Sequence, residues 1–369
     1  MRATVWAAAN QLGVAAGTPA ELLTAVLAGP RRAARVELAG NDPETGALAR
    51  DLRALGRLEV TLHPPPPPGP APEPDLSDPV AVCAADPVRV TRAYEASPGG
   101  HRGLRTAWLR AGQALIRPGQ TPAGRALALW AALGEGGAQE LRPALEELAR
   151  DTPWEVAGVR EAPVSALTTC GGRLVLAEDP RVRALACMPP GGAELRLDER
   201  GRLRVEGPAP RLVRAVAATL ATHPASALAA AADAVVTGDR MGSVHAFSLG
   251  GLRQAAPHSG RVTALAATGA PGLRVYSGGA DGAVHLWEPP REPRLVARRP
   301  HPVVTLHAGG GGLAVAWADG LVELHEQAGD RETAVRRFRP GPAVRAVALR
   351  GDGGLAVAAG DVLVTLRVR

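Results

Sequence analysis

The sequence predicts a multidomain protein with a small α/β unit at residues 1–62, a helical segment at 80–150 and an all-β propeller at 151–369. Three observations support this fold class. A proline tract at 63–79 separates stretches of different composition. Apolar residues at helical spacing follow the tract, and beyond them short β-hairpins recur about every forty residues. A chain of 369 residues is long enough for two or three domains.

The first 62 residues resemble one β–α–β unit. In "TPAELLTAVLAG" a threonine precedes a proline at the first helical position, which is typical of a helix start. "ARVELAG" and "RLEVTLH" predict short strands, and "NDPETGALARDLRALG" predicts a helix that ends at Gly56. No GxGxxG sequence is present, so nothing indicates a dinucleotide site.

The tract "HPPPPPGPAPEPDLSDP" (63–79) predicts an extended, semi-rigid linker, because proline lacks the backbone donor that helices and sheets use. A ligand for an SH3-type domain is the alternative, but the whole chain is rich in proline. Four stretches after the tract carry helical spacing and are separated by Gly or Pro. They predict a bundle of three or four helices, with Trp108 and Trp130 in its core.

Beyond Trp154 the pattern changes to short strands rich in Val, Leu and Ala. The hairpin "DGAVHLW" (281–287) recurs as "MGSVHAF" (241–247), "DGLVELH" (319–325) and, more loosely, "RGRLRVE" (200–206). The gaps between the turn glycines are 41, 40 and 38 residues, for Gly201, Gly242, Gly282 and Gly320. Repeats of about 40–45 residues with four short strands each are typical of propeller blades.

The repeat resembles the WD40 family, and the best match is "HSGRVTALAATGAPGLRVYSGGADGAVHLW", His258 through Trp287. The resemblance implies a hydrogen-bonded relay inside one blade, formed by His258, Ser277, Asp281 and Trp287. A Trp ring nitrogen donates, a hydroxyl donates and accepts, and a carboxylate orients a histidine. Ser, His and Asp also serve in nucleophilic catalysis, but no GxSxG surrounds Ser277. We therefore expect a structural relay and no catalytic, cofactor-binding or metal-binding residues.

Other repeats keep the relay only in part, and the last keeps only apolar alternation. The residues at the serine, aspartate and tryptophan positions are Thr237, Met241 and Phe247 in one repeat, and Val315, Asp319 and His325 in the next.

Five blades follow if the inner strands are 164–169, 213–218, 262–267, 303–307 and 344–349. A hairpin at 194–206 allows a sixth blade, and seven is the usual number in the WD40 family. The last blade has no outer strand after its third one. Since an open sheet edge is a liability, we expect "WEVAGV" (154–159) to pair there and close the ring.

The net charge is +6, and all 42 basic residues are arginine. Without lysine, the usual Walker A loop, Schiff-base lysine and SxxK pair are excluded. The arginines are scattered among acids, which argues against nucleic-acid binding through channel residues such as Arg240, Arg261 and Arg345. The excess of Ala, Gly, Pro and Arg indicates a GC-rich, bacterial genome.

Three cysteines, Cys83, Cys170 and Cys187, include no CxxC pair. Their number and spacing argue against a disulfide framework and a zinc knuckle, and predict a reducing cytoplasm. No run of about 18 apolar residues predicts a membrane span. Asn10 and Gln11 interrupt the first apolar stretch, which argues against a signal peptide.

Three histidines, His245, His285 and His325, recur at 40-residue spacing, so they belong to separate blades and do not predict a metal site. We therefore expect a non-enzymatic scaffold for one or more partner proteins, bacterial, cytoplasmic and without a cofactor. The main alternative is an enzyme or cofactor-binding propeller with a site in the central channel. A nucleic-acid binder is the weaker alternative.

Overall fold

The computed structural model describes residues 1–29, 34–64, 73–97, 99, 101–134, 138–189, 192–207, 209–231, 233–269, 272–328 and 331–369. These residues form two compact units. One contains Met1–Glu161, Arg339–Ala343 and Arg369, and the other contains Ala162–Phe338 and Val344–Val368. Residues 65–72 of the predicted proline-rich linker lie outside the described part of the chain.

The chain begins with two helices, α1 (Arg2–Leu12) and α2 (Pro19–Ala28). A parallel pair follows, β1 (Ala34–Ala39) and β2 (Leu58–His63), connected by helix α3 (Pro43–Ala54). This is the predicted β–α–β arrangement. The side chain of Thr18 accepts a hydrogen bond from the Glu21 amide and so caps α2.

Helix α1 was not predicted, because Asn10 and Gln11 break its apolar pattern. Both side chains donate to backbone carbonyls within the same unit. Asn10 Nδ2 lies 3.0 Å from the Gln113 oxygen, and Gln11 Nε2 lies 2.9 Å from the Glu37 oxygen. Polar residues in this helix therefore serve its packing.

Residues 79–148 form the expected helical segment. A short 3₁₀ turn (His101–Gly103) accompanies five helices: α4 (Pro79–Ala84), α5 (Pro87–Ala96), α6 (Leu104–Leu115), α7 (Pro122–Ala132) and α8 (Ala138–Leu148). Trp108 and Trp130 are buried, as predicted, and Trp108 Nε1 donates to Thr91 Oγ1 at 2.9 Å. Among the described residues no helix is both long and apolar enough to cross a membrane.

The C-terminal part forms a five-blade propeller of small antiparallel sheets. Before the blades come strand β3 (Trp154–Glu161) and a two-stranded hairpin, β4 (Ala166–Cys170) and β5 (Arg173–Ala177). The first blade contains β6 (Val182–Met188), β7 (Ala193–Asp198) and β8 (Leu203–Glu206). Helix α9 (Arg211–Thr222) follows it.

The next three blades have four strands each. The second contains β9 (Ala227–Ala231), β10 (Ala234–Gly238), β11 (Val244–Ser248) and β12 (Gly251–Ala255). The third contains β13 (Val262–Thr268), β14 (Arg274–Gly279), β15 (Ala283–Trp287) and β16 (Arg294–Arg298). The fourth contains β17 (Val303–Gly309), β18 (Gly312–Trp317), β19 (Val322–Ala328) and β20 (Arg331–Phe338). Within the second unit, the fifth contains β21 (Val344–Leu349), β22 (Leu355–Ala359) and β23 (Val362–Val368).

Residues 154–159, which the sequence predicts to close the ring, form strand β3 of the first unit. The hairpin β4–β5 lies between the first and fifth blades, where β4 contacts both β6 and β21. The hairpin at 194–206, considered for a sixth blade, forms β7 and β8 of the first blade.

Two of the five predicted inner strands differ from the structure: most of 164–169 lies in β4 of the two-stranded hairpin, outside the five blades, and residues 213–218 lie in helix α9. The buried residues of this helix recur at three- and four-residue spacing and are Leu212, Val213, Val216 and Leu220. The inner strands of the first and second blades are β6 and β9 instead. Strand β9 reads "ALAAA" and contains no β-branched residue, so propensity does not reveal it.

Neighbouring blades approach each other closely where a glycine of one blade faces the first valine of the next. A Cβ atom added to Gly238 would overlap Val262, and one added to Gly278 would overlap Val303. Each valine is the first residue of an inner strand. Glycine is thus required at these positions because the next blade occupies the space of a side chain.

We predict that Gly278→Ala lowers the free energy of unfolding by about 1–3 kcal/mol, since the added methyl group overlaps Val303. Urea denaturation followed by circular dichroism measures the loss. Gly260→Ala is the matched control, because a Cβ there meets no atom within 4 Å. Equal stability of the two variants would contradict the proposed packing.

Candidate functional site

Three of the four predicted relay residues meet at one end of the third blade. His258 precedes β13, Ser277 lies in β14 and Asp281 lies in the turn between β14 and β15. His258 Nε2 is 2.9 Å from Ser277 Oγ, and His258 Nδ1 is 3.1 Å from Asp281 Oδ1. The bonds connect the loop before the blade to its second strand and to its turn.

Backbone amides also hold the Asp281 carboxylate. The amides of Ser259 and Ala283 donate to it at 3.2 Å and 3.1 Å. Burial alone would raise the pKa of Asp281, but these two amides and His258 outweigh burial and lower it. The carboxylate is therefore a fixed anion that orients the imidazole.

Trp287 takes a different place from the one that the resemblance implied. It is buried in an apolar cluster with Val262 and Val275. In the described part of the chain, the side-chain bonds of His258 go to Ser277 and Asp281. The structure thus brings three of the relay residues together and uses the fourth for packing.

The geometry of the trio does not favour catalysis. Only 1% of Ser277 is exposed, and its hydroxyl bonds to a buried histidine. A substrate could not reach this oxygen without separating the blades. What the arrangement can do is fix two loops relative to the sheet.

We predict that Ser277→Ala destabilises the protein by about 1–3 kcal/mol, because His258 Nε2 is left buried without its partner. Thermal and urea unfolding would measure the change. Ser259→Ala serves as the control, since that side chain is exposed and only its backbone amide bonds to Asp281. A loss no larger than that of the control would exclude a stabilising relay.

The three histidines at equivalent positions lie in separate blades: His245 in β11, His285 in β15 and His325 in β19. The ring of His285 stands perpendicular to that of His258 at a centroid distance of 5.0 Å. Burial, followed by the charge of His258, lowers the pKa of His285. The described residues contain no group of three His, Cys, Asp or Glu side chains placed to hold a metal ion.

The fourth blade contains a second buried network, which the sequence did not reveal. Trp317 Nε1 donates to Glu323 Oε2 at 3.0 Å, and Arg337 Nε donates to Glu323 Oε1 at 3.0 Å. Burial would raise the pKa of Glu323, but the His325 ring, whose Nε2 lies 3.7 Å from Glu323 Oε2, and the hydrogen bond from Arg337 outweigh burial and lower the pKa to about 2. Glu323 is therefore ionised although it is buried.

Asp319, the aspartate kept in this repeat, belongs to the same region. It accepts two hydrogen bonds from the Arg299 guanidinium, at 3.2 Å and 3.0 Å. That guanidinium lies 5.3 Å from the centre of the Trp317 ring. One signal could have indicated the network, since Glu323 and Arg337 are opposite charges paired directly across β19 and β20.

His307 connects three elements of the propeller. It lies in β17, its Nδ1 accepts a hydrogen bond from the Leu349 amide of β21 at 3.1 Å, and its Nε2 is 3.3 Å from Thr169 Oγ1 of β4. Because Nδ1 is an acceptor, the ring is neutral in this arrangement. Burial lowers the pKa of His307 to about 4.

We predict that the propeller loses up to roughly 3 kcal/mol of stability through His307 as the pH falls from about 6.5 to about 4. The unfolded chain takes up the proton first, since its histidine has the ordinary pKa, and so the free energy of unfolding decreases with acidification. Urea unfolding at several pH values in this window measures the slope. His307→Gln should flatten it, and an unchanged slope in this variant would rule out His307 as the cause.

Burial, and then the positive charges of Arg183 and Arg240, lower the pKa of Arg261, one of the predicted channel arginines. Arg345 is exposed on β21 of the fifth blade.

The expectation that the cysteines form no disulfide is wrong for one pair. Cys170 of β4 and Cys187 of β6 are joined by a disulfide, with their Cα atoms 5.5 Å apart. The ring places these two strands side by side, which the linear spacing could not show. Cys83 is free and buried, and burial raises the pKa of its thiol to about 12.

No family model matches the chain, and no curated protein matches it. Among solved structures, the chain is similar to the computationally designed Ika8 protein, with 17% identity and a TM-score of 0.38, over 56% of this chain and 71% of that one. It is also similar to the computationally designed Ika4 protein, with 21% identity and a TM-score of 0.34, over 40% of this chain and 92% of that one. The fold assignment therefore rests on the strand pairing given above.

Proposed function

We propose that the protein is a non-enzymatic scaffold for protein–protein interaction, built on a WD40-like propeller, and that it assembles a bacterial complex. One observation carries the proposal: the conspicuous polar side chains bond to one another inside the blades. His258 is bonded to Ser277 and Asp281, and Glu323 to Trp317 and Arg337. Groups used in this way are not available to a substrate.

The surface supports the same proposal. Three exposed apolar side chains lie in the second blade, namely Met241, Leu249 and Leu252, which are 82%, 76% and 55% exposed. Two of them, Met241 and Leu252, line the same cleft, and apolar side chains grouped on a surface are typical of a site that a partner covers. The second blade is thus the part of the described propeller that best fits a docking surface.

A cofactor-binding or enzymatic propeller needs converging ligands, and the described residues offer no such group of three. A nucleic-acid binder would use arginines such as Arg240, Arg261 and Arg345, but the arginines of the sequence are scattered among acidic residues, whereas binding to a phosphate backbone requires clustered charge. We therefore rank both below the scaffold.

The cytoplasm was expected on the basis of the cysteines. The disulfide between Cys170 and Cys187 removes that argument, since such bonds persist mainly in oxidising compartments. Cell fractionation combined with thiol labelling of the native protein tests the location.

We predict that affinity purification of the tagged full-length protein from its native host recovers one or more proteins in stoichiometric amount. The Gly278→Ala variant weakens the contact between two blades. Below its melting temperature it should recover as much of these partner proteins as wild type does, and above that temperature it should recover less. Recovery of the tagged protein alone would contradict the scaffold. So would a turnover that Ser277→Ala abolishes while the protein stays folded.

A further inference from the structure

We propose that a cleft on the second blade binds an acidic, extended peptide segment of a partner protein, with an apolar side chain in the cleft and carboxylates on Arg200 and Arg240. This inference rests on the proposed function and names the site and chemistry of the partner.

The cleft exists because helix α9 follows the first blade in place of a fourth strand. The helix contacts β8 of the first blade and both β10 and β11 of the second. Its last turn, with Leu220 and His223, forms one wall of the cleft, and strands β10 to β12 form the other. The cleft measures about 630 Å³, which is within the usual range for ligand pockets.

The lining of the cleft is mainly apolar. Leu220 is buried and Phe247 half-buried, whereas Met241 and Leu252 at the edge are exposed. An exposed methionine adapts to different apolar side chains because its thioether is flexible and polarizable. A leucine, methionine or phenylalanine from a partner would therefore be buried here.

Positive charge borders this apolar surface. Arg200 and Arg240 both line the cleft. Asp239 is the one residue with a carboxylate among those that line the cleft. Its Oδ1 accepts hydrogen bonds from the backbone amides of Met241 and Ser243 at 2.8 Å, so the carboxylate stabilises the turn.

The cationic character extends along this part of the chain. Residues 211–261 contain five arginines, two aspartates and no glutamate. Within the described residues, no ion pair neutralises the guanidinium groups of Arg183, Arg200, Arg240 or Arg261. Such a surface attracts carboxylates and accelerates the encounter with an acidic segment.

A peptide fits this combination better than a nucleic acid does. Single-stranded nucleic acids use several aromatic platforms in a cationic groove, whereas the cleft has one half-buried phenylalanine. An apolar pocket beside two arginines instead matches a short segment in which Asp or Glu flanks an apolar residue. Arginine can bind each carboxylate through two parallel hydrogen bonds.

The test uses a phage-displayed random peptide library on the full-length protein, followed by affinity measurements on synthesised peptides. The binding variant is the double substitution Arg240→Glu with Leu252→Asp. The matched control carries the same two changes on strand β16, Arg294→Glu with Leu295→Asp. All four side chains are exposed, so both variants should fold, which circular dichroism and thermal unfolding verify.

We expect enriched peptides that combine acidic and apolar residues, and dissociation constants that rise about tenfold or more in the binding variant and stay unchanged in the control. Enrichment of neutral or basic peptides, or equal affinity in both variants, would overturn the proposal. If wild type binds duplex DNA, the binding variant does not, and no peptide is enriched, then the surface binds nucleic acid instead.

The same variants separate this inference from the scaffold proposal. If proteins from the native host co-purify equally with wild type and with the binding variant, the scaffold stands and the cleft is excluded as their site. If nothing co-purifies with wild type, the scaffold itself fails, whatever the library shows.

Discussion

The architecture depends on the close approach of neighbouring blades around the ring. Val262, the first residue of one inner strand, packs against Gly238 of the preceding blade. Val303 packs against Gly278 in the same way. Small sheets of three or four strands cannot bury their faces alone, so each blade is stable only between two others. A side chain at either glycine would push two neighbouring blades apart, and the positions of the other blades in the ring would have to shift as well. This requirement explains why the turns and glycines recur while the polar residues vary.

The two polar networks have the same structural role. Each one fixes the loops or neighbouring strands of a blade by hydrogen bonds to buried side chains. In the third blade a buried imidazole connects Ser277 to Asp281. In the fourth a buried carboxylate, Glu323, accepts from Trp317 and Arg337. In each network the carboxylate has several hydrogen-bond donors, which offset the cost of its burial. Chemically different residues can therefore replace the repeat pattern, which explains how the blades diverged without losing the ring.

The parts that the sequence predicted well are those with a local physical cause. The turn glycine Gly282 has a φ of 73°, a conformation that other residues rarely adopt, so its repetition is visible in the sequence. Helix α9 was mistaken for a strand, because its small and β-branched residues fit both periods over a few positions. The partners of Glu323 and the pairing of Cys170 with Cys187 depend on which strands become neighbours. Linear spacing does not contain that information.

The departures from the repeat are therefore the places to look for function. A regular blade would have a strand where α9 lies, and strands packed edge to edge would leave no wall for a cleft beside β11. Met241 and Leu252 are exposed on this blade, and Arg200 and Arg240 line the same cleft. Inside the third and fourth blades, Ser277, Asp281 and Glu323 bond to protein partners. At the cleft of the second blade, arginines and apolar side chains are exposed together, and a partner with acidic and apolar residues matches both.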